Sequence, residues 1–238
     1  MKPGTWLGIG FGAALLVIWG SLLAFDLVGH GAGLGSWPGV LARVLLQCWL
    51  NVGLFILAHD AMHGTLVPDH PAANDWAGRV CLFLYAGFSY HRLRAAHFRH
   101  HRFSGTETDP DFHAPDPTRF LPWLFAFLRH YFRFREFIGL VLASFGLLWL
   151  GVALPRLLIF WALPAILSAV QLFTFGTFLP HRHDDQEFPD HHRTRSQGYP
   201  PLLSLITCFH FGYHHEHHCR PDVPWWGLPA LRRAGQIR

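Results

Sequence analysis

The chain has 238 residues, of which 14% are Asp, Glu, Lys or Arg, 51% are hydrophobic and 16% are aromatic. A soluble domain carries about 25% charged residues, so this composition excludes an ordinary soluble globular domain, and the apolar residues throughout exclude a disordered chain. The 19 His equal the Lys and Arg together, an excess that requires a chemical explanation. The four Cys lie far apart and indicate neither a thiolate zinc site nor a disulfide framework.

Four apolar stretches are long enough to cross a bilayer, which takes roughly 20 residues of α-helix. We predict membrane spans at about 6–28, 38–58, 137–154 and 157–180. The first stretch has no small-residue cleavage site and is followed by further spans, which indicates an anchor and not a removable signal peptide.

Very short links join the first span to the second and the third to the fourth, which predicts two helical hairpins that turn on the same side. The remaining segments, 59–136 and 181–238, then form a cap on the other side. All Lys and Arg residues except Arg43 and Arg156 lie on that side of the membrane, Lys2 at the N-terminus included. The positive-inside rule therefore makes that side cytoplasmic, with both termini inside. The expected fold is all-α and integral to the membrane: one domain, 1–238, with four transmembrane helices in two hairpins and a cytoplasmic helical cap.

Two segments of the cap are expected to lie along the membrane without crossing it. Segment 80–90 is apolar but too short to span a bilayer, which is typical of a re-entrant or interfacial segment. Segment 119–137 places apolar residues at helical spacing among Arg residues, which predicts an amphipathic interfacial helix. A packing helix of the cap is the alternative for that second segment.

Nine histidines cluster at the predicted cytoplasmic ends of the spans, eight of them in three boxes. An H-x-x-x-H box ends the second span, two H-x-x-H-H boxes lie in the cap, and one isolated histidine ends the fourth span. Spacings of three and four put side chains on one helical face, and an even number of crossings brings the boxes to one membrane face. The nine are His59, His63, His97, His100, His101, His181, His214, His217 and His218.

Nine imidazoles exceed the coordination sphere of one ion, so the set predicts two metal ions. Neutral imidazole suits Fe, Zn, Cu or Ni, whereas Mg and Ca prefer oxygen ligands, so the residues alone do not name the metal. For His181, which stands outside the boxes, a cationic helix cap is the alternative role.

Carboxylates beside the boxes are expected to orient the ligands, because a metal-binding histidine usually donates its other ring N–H to an acceptor. Asp60 and Glu216 lie inside boxes. Asp109 and Asp111 follow the second box, and for these two a solvated loop is the alternative. We expect His210 to support the ligands without binding metal, and the other histidines, such as 191 and 192, to be solvated, interfacial or structural.

The sequence around the boxes resembles a known family. The stretches HDAMHG at 59–64, AHFRHHRFSGTETDPDFH at 96–113, FGTFLPHR at 175–182 and CFHFGYHHEHH at 208–218 are similar to the bacterial β-carotene ketolases, within the membrane fatty-acid desaturase and hydroxylase superfamily. The similarity covers nearly the whole chain. It implies a non-haem di-iron oxygenase that uses O2 and electrons from an external donor of the ferredoxin type.

The reaction that this resemblance implies is oxidation of the C4 and C4′ methylenes of β-ionone rings to ketones. β-Carotene would give echinenone and then canthaxanthin, and zeaxanthin would lead toward astaxanthin. By the same resemblance the eight box histidines are iron ligands and His181 is the ninth, while Thr177 stands where desaturase relatives often have Asn.

The implied partners are a carotenoid from the bilayer, the lipid of a bacterial inner (plasma) membrane and the reduced donor; no nucleic acid is expected. Segments 80–90 and 120–137 are candidate walls of the substrate route. With no G-x-G-x-x-G motif evident, the electrons require a separate protein, and the basic cytoplasmic face is expected to dock either an acidic ferredoxin or anionic lipid headgroups.

Three other functions compete with this interpretation. A fatty-acyl desaturase or hydroxylase would use the same chemistry on another substrate. An intramembrane zinc protease is disfavoured because Asp60 replaces the Glu of H-E-x-x-H, and because the other six box histidines would have no role. A metal transporter is disfavoured because its ligands should lie near the bilayer midplane.

Overall fold

The computed structural model describes residues 3–29, 34–184 and 187–235, and the regular structure in these ranges is helical. The longer helices come first in the chain and the short ones follow the predicted last span. The helices are α1 (Pro3–Val28), α2 (Trp37–Met62), α3 (Pro71–Ala86), α4 (Tyr90–Phe103), α5 (Phe120–Tyr131), α6 (Phe134–Trp149), α7 (Leu154–His181), α8 (Pro201–Cys208), α9 (His214–Cys219) and α10 (Leu228–Arg233), with a 3₁₀ turn at Trp225–Gly227.

Three of these helices, α1, α2 and α7, are long and apolar enough to cross a membrane. The most apolar window of α2 is 61% buried inside the protein, against 6% for α1 and 28% for α7. Helix α2 is therefore the central element, packed against α1, α3 and α7. The exposed apolar side chains of α1 and α7 form a surface that needs a hydrocarbon environment, which makes this a membrane protein.

The predicted third span, 137–154, is not a single helix, and four spans are not confirmed. Helix α6 ends at Trp149, and Gly151 then takes a left-handed backbone conformation (φ +90°) in the turn before α7. The 16 residues of α6 rise about 24 Å at about 1.5 Å each, which is shorter than the roughly 30 Å of a bilayer core. Helix α7 corresponds to the last predicted span, 157–180. It begins three residues earlier, at Leu154, and ends at His181.

Two arginine contacts to Asp26 bring three helix ends together at the end of α2 that is remote from the histidines. The Arg43 side chain of α2 lies 3.0 Å from an Asp26 carboxylate oxygen of α1, and Arg156 of α7 donates to the Asp26 carbonyl at 2.8 Å. At the opposite level, Glu136 of α6 accepts from Arg92 of α4 at 2.9 Å. Helix α6 therefore begins at the level of the histidine-bearing helix α4 and leads to the level of Asp26, where α7 begins.

The two predicted interfacial segments are both largely helical. Segment 80–90 contains the end of α3, a turn at Gly87 (φ +68°) and the start of α4. Segment 119–137 contains α5, which buries Trp123 and Leu124 while Phe125 stays exposed, and then the start of α6. A helix in this segment is confirmed, but it ends at Tyr131, before Arg133 and Arg135. Its amphipathic character and its position at a membrane interface stay predictions.

The C-terminal end of α2 is held by side chains of α3 and α4. The Ala61 carbonyl is one of the helix-end acceptors that lack an intrahelical partner. Asn74 donates to it at 2.7 Å and Tyr90 at 2.8 Å. Because the three helices meet at this carbonyl, the first histidine box at the end of α2 is fixed against the second box on α4.

Helix α7 departs from α-helical hydrogen bonding in two places. Residues Leu158–Ala162 and Phe173–Phe178 form π-helical turns, in which each bond spans five residues. The second π turn lies just before His181, the last residue of the helix, and Arg182 continues in an extended conformation. The direction of the His181 side chain is therefore set by the π turn.

Candidate metal centre

The nine predicted histidines come together as two adjacent groups, which we call the first and second groups. Within each group one ring nitrogen per residue lies within 4.8 Å of every other. The first group contains His59, His63, His97, His101 and His217, and the second contains His100, His181, His214 and His218.

Each H-x-x-H-H box contributes to both groups. His97 and His101, four residues apart on α4, enter the first group, while His100 between them points to the second. On α9 the pattern is reversed: the i,i+4 pair enters the second group, and His217 crosses to the first. The groups are also in contact, since the rings of His101 and His218 stack with centroids 4.2 Å apart.

The first group has the spacing of a metal-binding shell. The Nε2 atom of His97 lies 2.7 Å from that of His63 and 3.1 Å from that of His101, which in turn lies 3.1 Å from that of His217. Two nitrogens bound about 2.1 Å from one metal at a right angle would be about 3.0 Å apart. Among the described residues, the buried Nε2 of His59 has no hydrogen-bond partner, so this nitrogen is free to bind an ion.

The second group has the same spacing and is more enclosed. The Nε2 of His214 lies 2.9 Å from that of His181 and 3.1 Å from that of His218. All four histidines of the group are buried. An ion bound here would exchange water ligands for ring nitrogens. The donor set in both groups is imidazole alone, which fits a transition metal and not Mg or Ca.

Burial sets the protonation state of most of these rings. It lowers the pKa of His97, His101 and His217 well below the usual value, and the neighbouring imidazoles lower each pKa further. Burial and then the charge of Arg94 lower the pKa of His63 to about 4. These rings are therefore neutral near pH 7, and the neutral imidazole is the form that binds a metal.

Acceptors on the far side of the rings orient three of the nine histidines. Both carboxylate oxygens of Asp109 lie 3.0 Å from Nδ1 of His100. Burial lowers the pKa of His100, but the Asp109 and Asp111 carboxylates outweigh it and the net direction is upward. Asp60 lies 3.3 Å from Nδ1 of His59. A metal-binding histidine usually has such an acceptor, so the predicted roles of Asp60 and Asp109 agree with the geometry.

His181 is also oriented from behind. Its Nδ1 lies 3.1 Å from the Arg193 carbonyl oxygen and 3.2 Å from Oγ of Ser104. The carbonyl can only accept, so Nδ1 carries the proton and Nε2 presents its lone pair to the second group. A neutral ring that offers Nε2 to the second group agrees with the predicted ligand role better than with a cationic helix cap.

Comparison with known proteins adds a second line of evidence. A profile of the fatty acid desaturase family matches residues 34–146 and 133–236. A "Beta-carotene ketolase" of Paracoccus sp. (strain PC1) is 46% identical over 245 residues, which covers 98% of this chain and 97% of the relative. The chain belongs to the fatty acid desaturase family and, within it, to the β-carotene ketolases.

Other relatives extend the family. A "Beta-carotene ketolase" of Paracoccus sp. (strain N81106 / MBIC 01143) is 48% identical over 82% of this chain and 80% of the relative. A "Zeaxanthin 4-ketolase" of Chlamydomonas reinhardtii is 34% identical over 95% of this chain and 53% of the relative. The similarity to the ketolase family therefore spans the histidine boxes and the apolar helices together.

An apolar cavity of about 340 Å³ lies against both histidine groups. His59 and His97 of the first group line it, as do His100 and His214 of the second. Elsewhere its wall is mostly aromatic and aliphatic, and both segments 80–90 and 120–137 contribute to it as the sequence predicted. The cavity therefore connects the candidate metal centre to an apolar interior of the size of common ligand pockets.

The cavity also has a polar edge and an exposed rim. Thr177, Asp111 and Tyr131 line it, and the Tyr131 hydroxyl donates a short hydrogen bond to the Asp111 carboxylate. On the side away from the histidines, Ile166 of α7 lines the cavity and is 63% exposed. That exposed apolar rim belongs to a helix long enough to cross the membrane.

The prediction that Glu216 orients a box histidine is wrong. Its carboxylate accepts from Arg232 at 2.7 Å and, in a short hydrogen bond, from the Ser196 hydroxyl. Glu216 therefore fixes α9 to α10 and to the chain before α8. His210 lies outside both groups, as predicted; its ring stacks on Tyr213 with centroids 5.8 Å apart, and its backbone is left-handed (φ +66°).

A third cluster of side chains that could hold a metal ion was not predicted from the sequence. His192 was expected to be solvated or structural, but it lies with Asp190 and Cys219 in a group whose ligand atoms are within 4.8 Å of one another. His215 joins it, with Nε2 3.1 Å from the Asp190 carboxylate. The available signal was the four-residue spacing of His215 and Cys219, which puts them on one face of α9.

Proposed function

We propose that this protein is an O2-dependent, non-haem di-iron β-carotene ketolase of a bacterial inner membrane. Its substrate is β-carotene, whose C4 and C4′ methylenes become ketones through echinenone to canthaxanthin; zeaxanthin leads toward astaxanthin by the same reaction. The observation that carries the proposal is the position of two all-histidine groups at one end of an apolar cavity, in a chain related to proteins named for this activity.

The nine histidines of the two groups are the proposed iron ligands. Five imidazoles in one group and four in the other leave open positions on two six-coordinate ions. Bound iron would supply the activation of O2 that oxidation of a methylene requires. Burial keeps rings such as His97, His101 and His217 neutral, and acceptors behind the ring fix His59, His100 and His181.

Each ketone needs two oxidations at the same carbon. Each consumes one O2, two electrons and two protons, inserts one oxygen into a C–H bond and releases one water; the resulting geminal diol then loses water. The cavity positions one ring for both rounds, since its apolar wall binds the ionone hydrocarbon and excludes solvent. A carotenoid dissolved in lipid reaches this site from the side, past the exposed rim at Ile166.

The level of the helix ends supports the membrane arrangement that we propose. Helices α2 and α7 both run from the Asp26–Arg43–Arg156 contacts toward the histidines. We propose that α6 makes the return pass, tilted or with local thinning of the bilayer to compensate for its length. One domain, 1–238, with four passes would then place the histidines and both termini in the cytoplasm.

The electron donor in this proposal is a reduced, acidic protein of the ferredoxin type. Arg99 and Arg102 are exposed on α4, the helix that carries three of the proposed ligands. An acidic partner attracted to these cations would dock close to both groups. Anionic headgroups would bind the same cations, so a salt-dependent reduction rate in detergent, without lipid, favours the protein partner.

The decisive experiment is expression in a bacterium that accumulates β-carotene, followed by pigment chromatography and fatty-acid analysis. We expect echinenone and canthaxanthin with unchanged lipid unsaturation, and two iron ions in the anaerobically purified protein. Replacing His63, His100 or His217 with Ala should abolish the ketones while the protein still inserts, since the apolar helices remain. His191→Ala, which changes an exposed histidine, is the matched control.

Two results would contradict the proposal. Unchanged carotenoids together with altered fatty acids would identify a fatty-acyl desaturase or hydroxylase. One metal per chain, or zinc alone after growth in iron-rich medium, would contradict the di-iron centre.

A further inference from the structure

The third cluster lies on a different face of α9 from the box histidines and joins that helix to the chain before α8. Nε2 of His215 lies 3.1 Å from Oδ2 of Asp190. Sγ of Cys219 lies 3.5 Å from that Nε2 and 3.8 Å from that Oδ2. One carboxylate, one imidazole and one thiol therefore meet at a point. His192 offers a ring nitrogen within 4.8 Å of the carboxylate and the thiol, but its ring centroid lies 6.5 Å from that of His215.

These three distances are close to the edges of a tetrahedral zinc site. With bonds of about 2.3 Å to sulfur and about 2.1 Å to nitrogen and oxygen, tetrahedral edges are about 3.4 Å for N–O and about 3.6 Å for S–N and S–O. The observed separations agree within about 0.3 Å. Thiolate, imidazole and carboxylate together match a borderline-soft divalent ion better than Mg or Ca.

We propose that Asp190, His215 and Cys219 bind a divalent ion of the zinc type, and that the His192 side chain turns toward this ion as the fourth ligand. None of the four belongs to the two histidine groups, so this site is separate from the proposed iron centre and does not depend on it.

The surrounding contacts give this ion a structural role. The residue after His192 is Arg193, whose backbone is left-handed (φ +48°) and whose carbonyl accepts from His181. A non-glycine residue holds such a backbone only where its surroundings determine it. An ion bound by His192 on one side and α9 on the other would hold this segment in place, and with it the acceptor that orients His181.

Cys219 provides a direct test, because it is half-buried while Cys48, Cys81 and Cys208 are buried. The full chain in detergent is stripped of loosely bound metal, and alkylation by a maleimide is followed with and without zinc. Zinc should slow the labelling of Cys219 about tenfold or more, since a coordinated thiolate is no longer free to react. Asp190→Asn and His192→Ala keep the thiol as a reporter and should remove most of that protection.

A second measurement identifies the ligand directly. Cobalt in place of zinc should give a sulfur-to-cobalt absorption band in the wild type that disappears in Cys219→Ser and persists in Cys81→Ser, a control in α3. The purified wild type should also retain one zinc in addition to any iron.

Equal alkylation rates with and without zinc, or a cobalt spectrum unchanged in Cys219→Ser, would overturn the proposal. Zinc lost on dialysis would show adventitious binding only. None of these readouts requires ketone formation, so they stand or fall apart from the proposed function.

Discussion

Asp109→Asn tests whether the acceptor behind a proposed ligand controls the metal centre. The Asp109 side chain is 4% exposed and serves three donors with two oxygens. Oδ1 accepts from the Asp111 amide and Oδ2 from the Gly105 amide, each at 2.9 Å, and both oxygens face Nδ1 of His100 at 3.0 Å. Asn keeps one oxygen, so one backbone N–H loses its acceptor and faces another donor, at a cost of about 1–3 kcal/mol.

The loss of charge adds an effect on the ligand itself. Removing the partner of a metal-binding histidine typically lowers metal affinity or activity about 10- to 100-fold, which corresponds to about 1.4–2.7 kcal/mol. The assay compares iron per chain during titration with a chelator, together with ketone yield per protein. Asp116→Asn is the matched control, since that carboxylate pairs with an Arg119 side chain that is 74% exposed. Wild-type iron retention and ketone yield in Asp109→Asn would refute the role of this carboxylate.

Three further predictions follow from local geometry. His181→Ala should lower the iron-to-protein ratio together with activity. Loss of a helix cap alone would instead cost about 1 kcal/mol of stability and leave bound iron intact, and that result would exclude the ligand role. Gly8→Ala should lower the thermal unfolding temperature in detergent, because a Cβ there would lie 1.7 Å from the Leu66 carbonyl oxygen; Gly12→Ala on the same helix meets nothing within 4 Å and should be neutral or stabilising. Ile166→Trp at the cavity rim should reduce ketone yield with iron content unchanged, and full activity would place the substrate route elsewhere.

The sequence predicts which histidines come together, but not how they divide between the two groups. Box spacing and the common membrane face bring all nine together. The division depends on helix rotation: neighbours in sequence are about 100° apart around an α-helix, so His100 and His101 point to different groups. Which of them faces which group requires the relative orientation of α4 and α9, and that orientation comes from tertiary packing.

Other features were invisible to the sequence for different reasons. An apolar composition cannot show that Gly151 turns the chain within the predicted third span, because glycine enters a helix or a turn without changing hydropathy. Asp190 and His215 lie 25 positions apart, and no local spacing relates them. Glu216 lies inside a box, yet its partner Arg232 is on another helix.

The π turn at Phe173–Phe178 makes α7 sensitive to a change in its length. A π turn takes up one extra residue, so the helix beyond it keeps its orientation. In a regular α-helix each added residue rotates the residues that follow by about 100°. Deleting one residue there would let the turn relax to an α-helix with the last residue still in place, whereas an inserted residue that the turn did not take up would rotate that last residue by about 100°, away from its acceptors. We therefore expect this helix to tolerate side-chain changes on its lipid side, but not an added residue between the cavity and its final histidine.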